Sequence, residues 1–297
     1  MTDKAKEYKL LSIDDVKRML NQAHLQIERM IVRERLVVNL DIIRAQAPQM
    51  ILNMIRVPFC IDDNRLIRIL DGRVRIEINL TDYELQAGDI VLVKAGAYFE
   101  IKEVAEDTHI EAVAFVAEKY PTNLAYHNKS VVKIHPSQTD WDMTSHLLYT
   151  IYSVAKDEPY RSDVAEPLVQ ALVNLVIGLS AEETSIATSN AEHLFHRFVE
   201  LIATNKQGKQ PVGHYADLLC ITPQYLSKIV TAASGNTVSE WINKAVILDA
   251  HILLRNTTKT IAEIADTLNF PNDSFFCRFF KRETGQTPTQ YRREAGR

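Results

Sequence analysis

The spacing of hydrophobic residues changes twice along this chain. Between residues 12 and 31 the apolar positions recur at helical spacing behind a Ser-Ile-Asp-Asp cap, which predicts an amphipathic helix. From residue 35 to 116 apolar and polar positions alternate, as in Arg73–Leu80, which is typical of half-buried strands. Turn signals separate the runs at Asp71-Gly72, Gly88-Asp89 and Ala95-Gly96. Short strands at this spacing predict an antiparallel barrel or a double-sheet jelly roll.

Helical spacing returns between Trp141 and Leu179, where the apolar positions form two stripes. The stripes consist of Leu147, Ile151 and Val154/Ala155, and then of Val164, Leu168, Ala171/Leu172, Leu175 and Leu179. The second stripe is spaced like a coiled-coil seam. Two interpretations are therefore open, because the seam can form a homodimer interface or pack on the strands of its own chain. Residues 181–190 are small and polar, which is typical of a linker.

The last third of the chain repeats itself at an interval of about fifty residues, and a fixed interval indicates repeated architecture. Residues 225–229 are echoed by residues 275–279, and residues 234–241 by residues 284–291. Each copy predicts two short helices joined by a tight turn. Capping signals punctuate the repeat at Thr222-Pro223, Gly235, Thr237–Glu240, Thr260–Glu263, Asn272-Asp273, Gly285 and Thr287-Pro288. The predicted order is helix-turn-helix, long connecting helix, helix-turn-helix and final helix.

A chain of 297 residues has the length of two domains. We predict the α+β multidomain class, with an antiparallel β-barrel and flanking helices followed by an all-α double helix-turn-helix. The predicted segments are an N-terminal helical segment (1–34), the barrel (35–120), a helical linker and dimerisation region (121–180), a flexible linker (181–190) and the helix-turn-helix domain (191–297).

The composition indicates the cellular compartment and the kind of partner to expect. The N-terminus has no apolar signal core, and the most apolar stretch, residues 171–179, is too short to span a bilayer. Three cysteines, Cys60, Cys220 and Cys277, are an odd number and favour a reducing compartment, with buried thiols. We therefore predict a cytoplasmic protein without membrane association. Its net charge of −4 divides into an acidic front and a mildly basic region from residue 191, which fits a sensor fused to a DNA-binding module.

The strand and turn rhythm from Leu66 to Ile101 resembles the cupin barrel. Cupin enzymes bind metal through a His-x-His pair, a Glu and a later His, whereas this chain has Arg75, Ile76 and Glu77 at the pair and an aromatic residue at the last position. A divalent metal needs three or four converging ligands. We therefore predict no metal, no cofactor and no enzyme activity. A small-molecule effector pocket lined by Arg68, Tyr98 and Phe99 is one interpretation, and core or solvated-face positions for these residues are the other.

The repeated segments closely resemble the signature of AraC/XylS-type bacterial transcription regulators. The resemblance covers residues 194–293, and its motifs are residues 215–219, 222–227, 261–265, 268–270, 274, 276, 278–281, 284–285, 288 and 291–292. The chain departs from the family at Asn269, where glycine is usual. Asparagine also tolerates a left-handed backbone, so we expect the turn to form.

The resemblance implies a sequence-specific regulator whose two recognition helices enter major-groove segments about 34 Å apart on double-stranded promoter DNA. Residues carried over by position are Gln224, Tyr225, Ser227 and Lys228, then Asp273, Ser274, Phe275 and Arg278, with Lys281 and Arg282 as phosphate contacts. Gln and Arg suit adenine and guanine edges, and an aromatic ring suits a thymine methyl. Asp273 accepts from cytosine or caps its helix, and we favour the cap. Further expected partners are a second copy of the chain and, for an activator, RNA polymerase. The alternatives are a cupin-fold enzyme and an interaction protein that does not bind DNA.

Overall fold

The computed structural model describes residues 30–33, 36–43, 59–116, 130–183, 190–205 and 208–295. These residues form two compact units, one mainly between residues 10 and 187 and the other from residue 188 onwards. The helix predicted over residues 12–31 lies outside the described residues except at its end, where Met30 and Ile31 belong to a strand.

In the described part of the N-terminal unit, ten strands form two sheets. Their bounds are β1 Met30–Val32, β2 Leu36–Ile43, β3 Phe59–Cys60, β4 Asn64–Asp71, β5 Arg73–Ile78, β6 Thr81–Gln86, β7 Ile90–Val93, β8 Tyr98–Val104, β9 His109–Phe115 and β10 Val131–Ile134. One sheet has the order β1-β2-β9-β4-β7-β10, with every neighbouring pair antiparallel, and the other has the order β3-β8-β5-β6.

The described strands form two separate sheets and not a closed barrel, which corrects the barrel prediction. Alternating hydrophobicity identifies strands, but closure depends on whether edge strands far apart in the chain pair with each other. Ile69 and Val91 of the larger sheet share a buried core with Ile76 and Phe99 of the smaller sheet. The two sheets therefore pack face to face, as in a sandwich.

The other face of the six-stranded sheet is covered by two helices, α1 (Gln138–Lys156) and α2 (Ser162–Glu183). Their buried residues share a core with the sheet: Leu148, Ile151, Ala155, Ala165, Val169, Leu172, Val173 and Val176. The interpretation that the helices pack on their own strands therefore holds for this face. Of the predicted seam on α2, only Leu172 is fully buried, whereas Val164, Leu168 and Leu175 are half-buried.

Three sequence-based boundaries change. Strand β10 lies inside the region predicted as helical, because Val131–Ile134 pairs with β7. Helix α2 continues to Glu183 and the next helix begins at Asn190, so residues 181–183 and 190 are helical and not linker. The segment Ser162–Ser180 is long and apolar enough to cross a membrane by length and composition, which the shorter predicted stretch was not. Its fully buried side chains nevertheless pack on the sheet.

Over the residues that the structure describes, the C-terminal unit has seven helices: α3 Asn190–Thr204, α4 Val212–Leu218, α5 Pro223–Ser234, α6 Val238–Asn256, α7 Ile261–Thr267, α8 Asp273–Thr284 and α9 Pro288–Ala295. Helices α4 and α5 form the first helix pair, α6 is the long connection, and α7 and α8 form the second pair, as the repeat predicted. Capping boxes start α6 and α7 at Thr237 and Thr260. Asn269 has a φ of 61°, so the left-handed turn forms as expected.

Candidate nucleic-acid interface

The second helix of each pair begins and ends at the same positions of the repeat. Helix α5 follows Thr222, whose hydroxyl accepts from the Tyr225 amide at 3.2 Å, and ends at Gly235 with a φ of 71°. Helix α8 follows Asn272, whose side-chain oxygen accepts from the Phe275 amide at 3.0 Å, and ends at Gly285 with a φ of 81°. A left-handed residue at the helix end favours glycine because glycine has no Cβ to clash.

The two helices also bury matching faces. The buried side chains are Leu226, Ile229 and Val230 on α5 and Phe276, Phe279 and Phe280 on α8, again fifty residues apart. All ten predicted interface residues are exposed on the other side: Gln224, Tyr225, Ser227, Lys228, Asp273, Ser274, Phe275, Arg278, Lys281 and Arg282. The interior therefore leaves the recognition positions free for an external partner.

Each recognition helix exposes an aromatic ring at its third residue. Tyr225 is 42% exposed and Phe275 is 50% exposed, although large aromatic side chains are usually mostly buried. The guanidinium carbon of Arg278 lies 4.7 Å from the centroid of the Phe275 ring, which is within cation–π range. On the recognition helix of the second pair, the apolar Phe275 ring and the guanidinium of Arg278, a bidentate donor, thus lie side by side on one face.

Arg282 and Ser227, two of the predicted contacts, donate to groups of their own helix. The Arg282 Nη2 and Nε groups donate to Glu283 Oε1 at 2.6 and 3.0 Å, so this guanidinium is partly neutralised. The Ser227 hydroxyl donates to the Pro223 carbonyl at 2.9 Å.

Asp273 does not cap its helix, which corrects the interpretation favoured from the sequence. Asn272 has the extended backbone of a cap, with a φ of −164°, and its side chain makes the capping bond. Asp273 is the first helical residue, and its carboxylate lies 3.5 Å from the Ser274 hydroxyl. It stays an exposed acceptor, so the cytosine interpretation stays a prediction.

Comparison with known proteins identifies similar domains and proteins. Residues 215–294, which run from within α4 to the last helix, match the helix-turn-helix domain family. The uncharacterized HTH-type transcriptional regulator YpdC of Escherichia coli K12 is 25% identical over 45% of this chain and 47% of its own length. The HTH-type transcriptional activator RhaR of Shigella dysenteriae is 20% identical over 72% of this chain and 79% of its own. The chain spans about half the length of other curated relatives that it matches, such as YpdC and the RhaR of Escherichia coli K12.

The C-terminal unit is an AraC/XylS-type helix-turn-helix domain. Among solved structures, ToxT of Vibrio cholerae bound to an unsaturated fatty acid covers 80% of this chain and 88% of its own, with a TM-score of 0.40 and 17% identity. The C-terminal domain of AraT, a response regulator from Geobacillus stearothermophilus, covers 36% of this chain and 88% of its own, with a TM-score of 0.33 and 26% identity.

Some residues of the AraC-type domain have structural roles that their motif positions did not reveal. Arg292 donates through Nε to the Leu254 carbonyl at 3.1 Å and through Nη2 to the Lys259 carbonyl at 2.6 Å, so it holds the end of α6. Tyr291 stacks on His251 with ring centroids 4.4 Å apart, and burial lowers the pKa of His251 to about 4.

One further candidate for DNA contact was not predicted from the sequence. Thr231 is exposed on α5 at the position that Lys281 occupies on α8. The fifty-residue interval, applied to every position of the helix, would have identified it.

The predicted effector pocket does not form as one site. Arg68 is fully buried on the helix-covered face of the six-stranded sheet, where it pairs with Glu111 and donates to Ser145 Oγ at 2.5 Å and to the Trp141 carbonyl at 3.2 Å. Burial lowers the pKa of Arg68, and Glu111 opposes that shift. Phe99 lies on the opposite side of this sheet, in the core between the sheets. Alternation alone could not tell which element covers which face.

The remaining candidate chemistry concerns cysteines and metals. Cys60 is buried, Cys277 is half-buried and Cys220 is exposed, so the expectation of three buried thiols is wrong for Cys220. Cys220 lies in the turn of the first helix pair with a φ of 56°, the counterpart of Asn269. Within the described ranges, no three His, Cys, Asp or Glu side chains are grouped as metal ligands.

Proposed function

We propose that this protein is a sequence-specific transcription regulator and not an enzyme, and that α5 and α8 read successive major-groove segments of promoter DNA. The observation that carries the proposal is the matched exposure of the two helices. Equivalent capping residues and equivalent buried side chains hold them, while their outer faces carry amide, hydroxyl, aromatic and cationic groups. These are the groups that read base edges and hold phosphates.

The second helix supplies most of the positive charge. Arg278 and Lys281 are exposed on α8, whereas Lys228 is the exposed cation on α5. Because phosphate contacts supply a large share of the affinity for DNA, α8 should contribute more of that affinity than α5 does. Gln224 on α5 is suited to adenine.

The test uses the full chain and DNA selected from a random duplex pool. Arg278→Ala should weaken binding to the selected sequence by about 1–3 kcal/mol and relax the preference at one base pair. Lys281→Ala should instead lower the salt dependence by roughly one unit for all sequences. Arg161→Ala, an exposed arginine in the N-terminal unit, serves as the control. The proposal fails if no sequence is enriched, or if both variants bind as the wild type does.

For the N-terminal unit we infer a cupin-like two-sheet scaffold that dimerises and responds to a small-molecule effector. The half-buried residues Val164 and Leu175 of α2, which do not belong to the intramolecular core, support a homodimer contact. An effector can act only by favouring one arrangement of the protein over another. The proposal includes a cytoplasmic location, no membrane association, and contact with RNA polymerase if the protein activates. Sedimentation equilibrium with Leu175→Glu tests the dimer, and an unchanged mass would reject this contact.

A further inference from the structure

A short segment between α3 and α4 adds hydrogen bonds between the two helix pairs, which also meet through α6 and through the buried Phe279 ring. This strap consists of Gly208 and Lys209, which precede the first pair in the chain. The Lys209 amide donates to the Leu268 carbonyl at 2.9 Å, and the Asn269 Nδ2 group donates to the Lys209 carbonyl at 2.9 Å. Leu268 and Asn269 form the turn of the second pair, so the strap holds that turn through two hydrogen bonds.

The approach of the two backbones is too close for any side chain at Gly208. A Cβ there would lie 2.5 Å from the carbonyl carbon of Leu268 and 2.9 Å from the amide nitrogen of Asn269. Both atoms are backbone, so neither can rotate away. Gly208 also has a φ of 77°, which other residues rarely adopt.

The strap is fixed to the first pair as well. The Asn205 Nδ2 group lies 2.7 Å from the Gly208 carbonyl and 2.8 Å from the hydroxyl of Tyr215, a buried residue of α4. On the other side, the Lys209 ammonium lies 4.6 Å from the Phe279 ring of α8. The strap therefore links α4 of the first pair to the recognition helix of the second.

Asn269 combines two properties that glycine cannot offer together. It adopts the left-handed backbone that the turn requires, and its amide makes the bond to the strap. The departure from the family at this position thus has a physical reason in this chain. Cys220, at the same position of the first turn, is exposed and likewise left-handed.

We propose that Asn269 is a positioning residue that, with the Gly208–Lys209 strap, sets the half-site spacing that the protein accepts. This inference rests on the proposed function. Helix α6 and the packing of Phe279 in the core of the first pair already connect the two pairs, and the hydrogen bonds of the strap further oppose a pivoting of the second pair. One inserted base pair shifts a half-site by about 3.4 Å and turns it by about 35°. A rigid pair of recognition helices discriminates against that change, and a pivoting pair tolerates it.

The experiment measures binding of the full chain to its selected DNA and to versions with one base pair inserted or deleted between the half-sites. The measured quantity is the dissociation constant for DNA of altered spacing divided by the dissociation constant for DNA of native spacing. Asn269→Gly keeps the left-handed backbone and removes the amide, so the ratio should fall at least about threefold below that of the wild type. Cys220→Gly makes the same change in the other turn and should keep the wild-type ratio. Gly208→Ala, which forces the backbones apart, should lower the ratio like Asn269→Gly.

The outcomes separate the inference from the proposed function. If Asn269→Gly weakens binding to all spacings by the same factor, Asn269 stabilises the fold without setting the spacing, and the inference is overturned. The inference is also overturned if Asn269→Gly binds DNA of every spacing as the wild type does. In both cases, specific binding by the wild type leaves the proposed function standing. If no sequence is enriched at all, the proposed function fails and the inference fails with it.

Discussion

Replacing Glu111 alone should destabilise the N-terminal unit far more than replacing Glu111 and Arg68 together. The Arg68 guanidinium is fully buried between the sheet and α1, and its carbon lies 3.9 Å from the Trp141 ring. In Glu111→Leu it keeps its charge and loses its ion-pair partner. Ser145 and the Trp141 carbonyl still accept hydrogen bonds, but they are neutral.

The magnitude follows from the cost of an uncompensated buried charge. Breaking a buried ion pair on one side costs about 3–5 kcal/mol, whereas replacing both partners by apolar residues of similar volume is often neutral. We expect the lower end, because Asp142 also raises the pKa of Arg68 and keeps some favourable potential there. Glu111→Leu should thus lower the free energy of unfolding by about 3 kcal/mol, and the double variant Arg68→Met/Glu111→Leu by less than about 1 kcal/mol.

The two tryptophans make the measurement specific. Trp141 lies on Arg68 in the N-terminal unit, and Trp241 is in the AraC-type domain. In a Trp241→Phe background, urea unfolding followed by fluorescence reports the N-terminal unit alone. With a slope of about 2 kcal/mol per M, the single variant should unfold at about 1.5 M less urea than its parent.

Equal midpoints for the single and double variants would refute this reasoning. They would mean that the Arg68 charge is accommodated without Glu111, as expected if water or an effector reaches it. The predicted role of Arg68 as an effector ligand would then regain support.

Two further perturbations test the AraC-type domain. Cys220→Asn should raise its stability by about 1 kcal/mol, because asparagine adopts a left-handed backbone at lower cost than cysteine, and a lower thermal midpoint by circular dichroism would contradict this. His251 has a pKa lowered to about 4 by burial, whereas in the unfolded chain it is about 6.5, so its neutral form is favoured by folding. This stability is complete above about pH 6.5 and is lost as the pH falls towards 4, which amounts to about 2 kcal/mol at pH 5. His251→Phe should remove that loss, and an unchanged pH dependence of urea unfolding would count against it.

Local signals explain why the AraC-type domain was predictable from its sequence. A capping box such as Thr237 with Glu240 depends on residues three positions apart, and the structure forms it with bonds of 2.6 and 3.2 Å. The same holds for Thr260 with Glu263. The repeat added the register, because a residue buried in one helix has its counterpart buried in the other.

The N-terminal unit depended on contacts between distant residues. Arg68 and Glu111 lie directly opposite each other on β4 and β9, 43 residues apart, and periodicity cannot give that register. The sequence does contain one hint of a buried ion pair, because each of the two strands has a charged residue among apolar ones. The face of α2 was ambiguous for a different reason. Apolar residues surround most of this helix, so two stripes with the same spacing fit the helical period. The buried stripe is Ala165, Val169, Leu172 and Val176, which is largely displaced by one residue from the predicted stripe.

The same repeat that makes the two helix pairs alike also isolates the residues that distinguish them. Since equivalent caps and buried positions hold α5 and α8, each helix has the same rotation relative to its own packed face. Differences in base preference should then come from exposed pairs in the repeat, which include Gln224 with Ser274, Lys228 with Arg278 and Thr231 with Lys281. Exchanging the members of one pair changes the chemistry and leaves the scaffold intact. A preference that moves with Gln224 from one half-site to the other would therefore assign that base to that side chain.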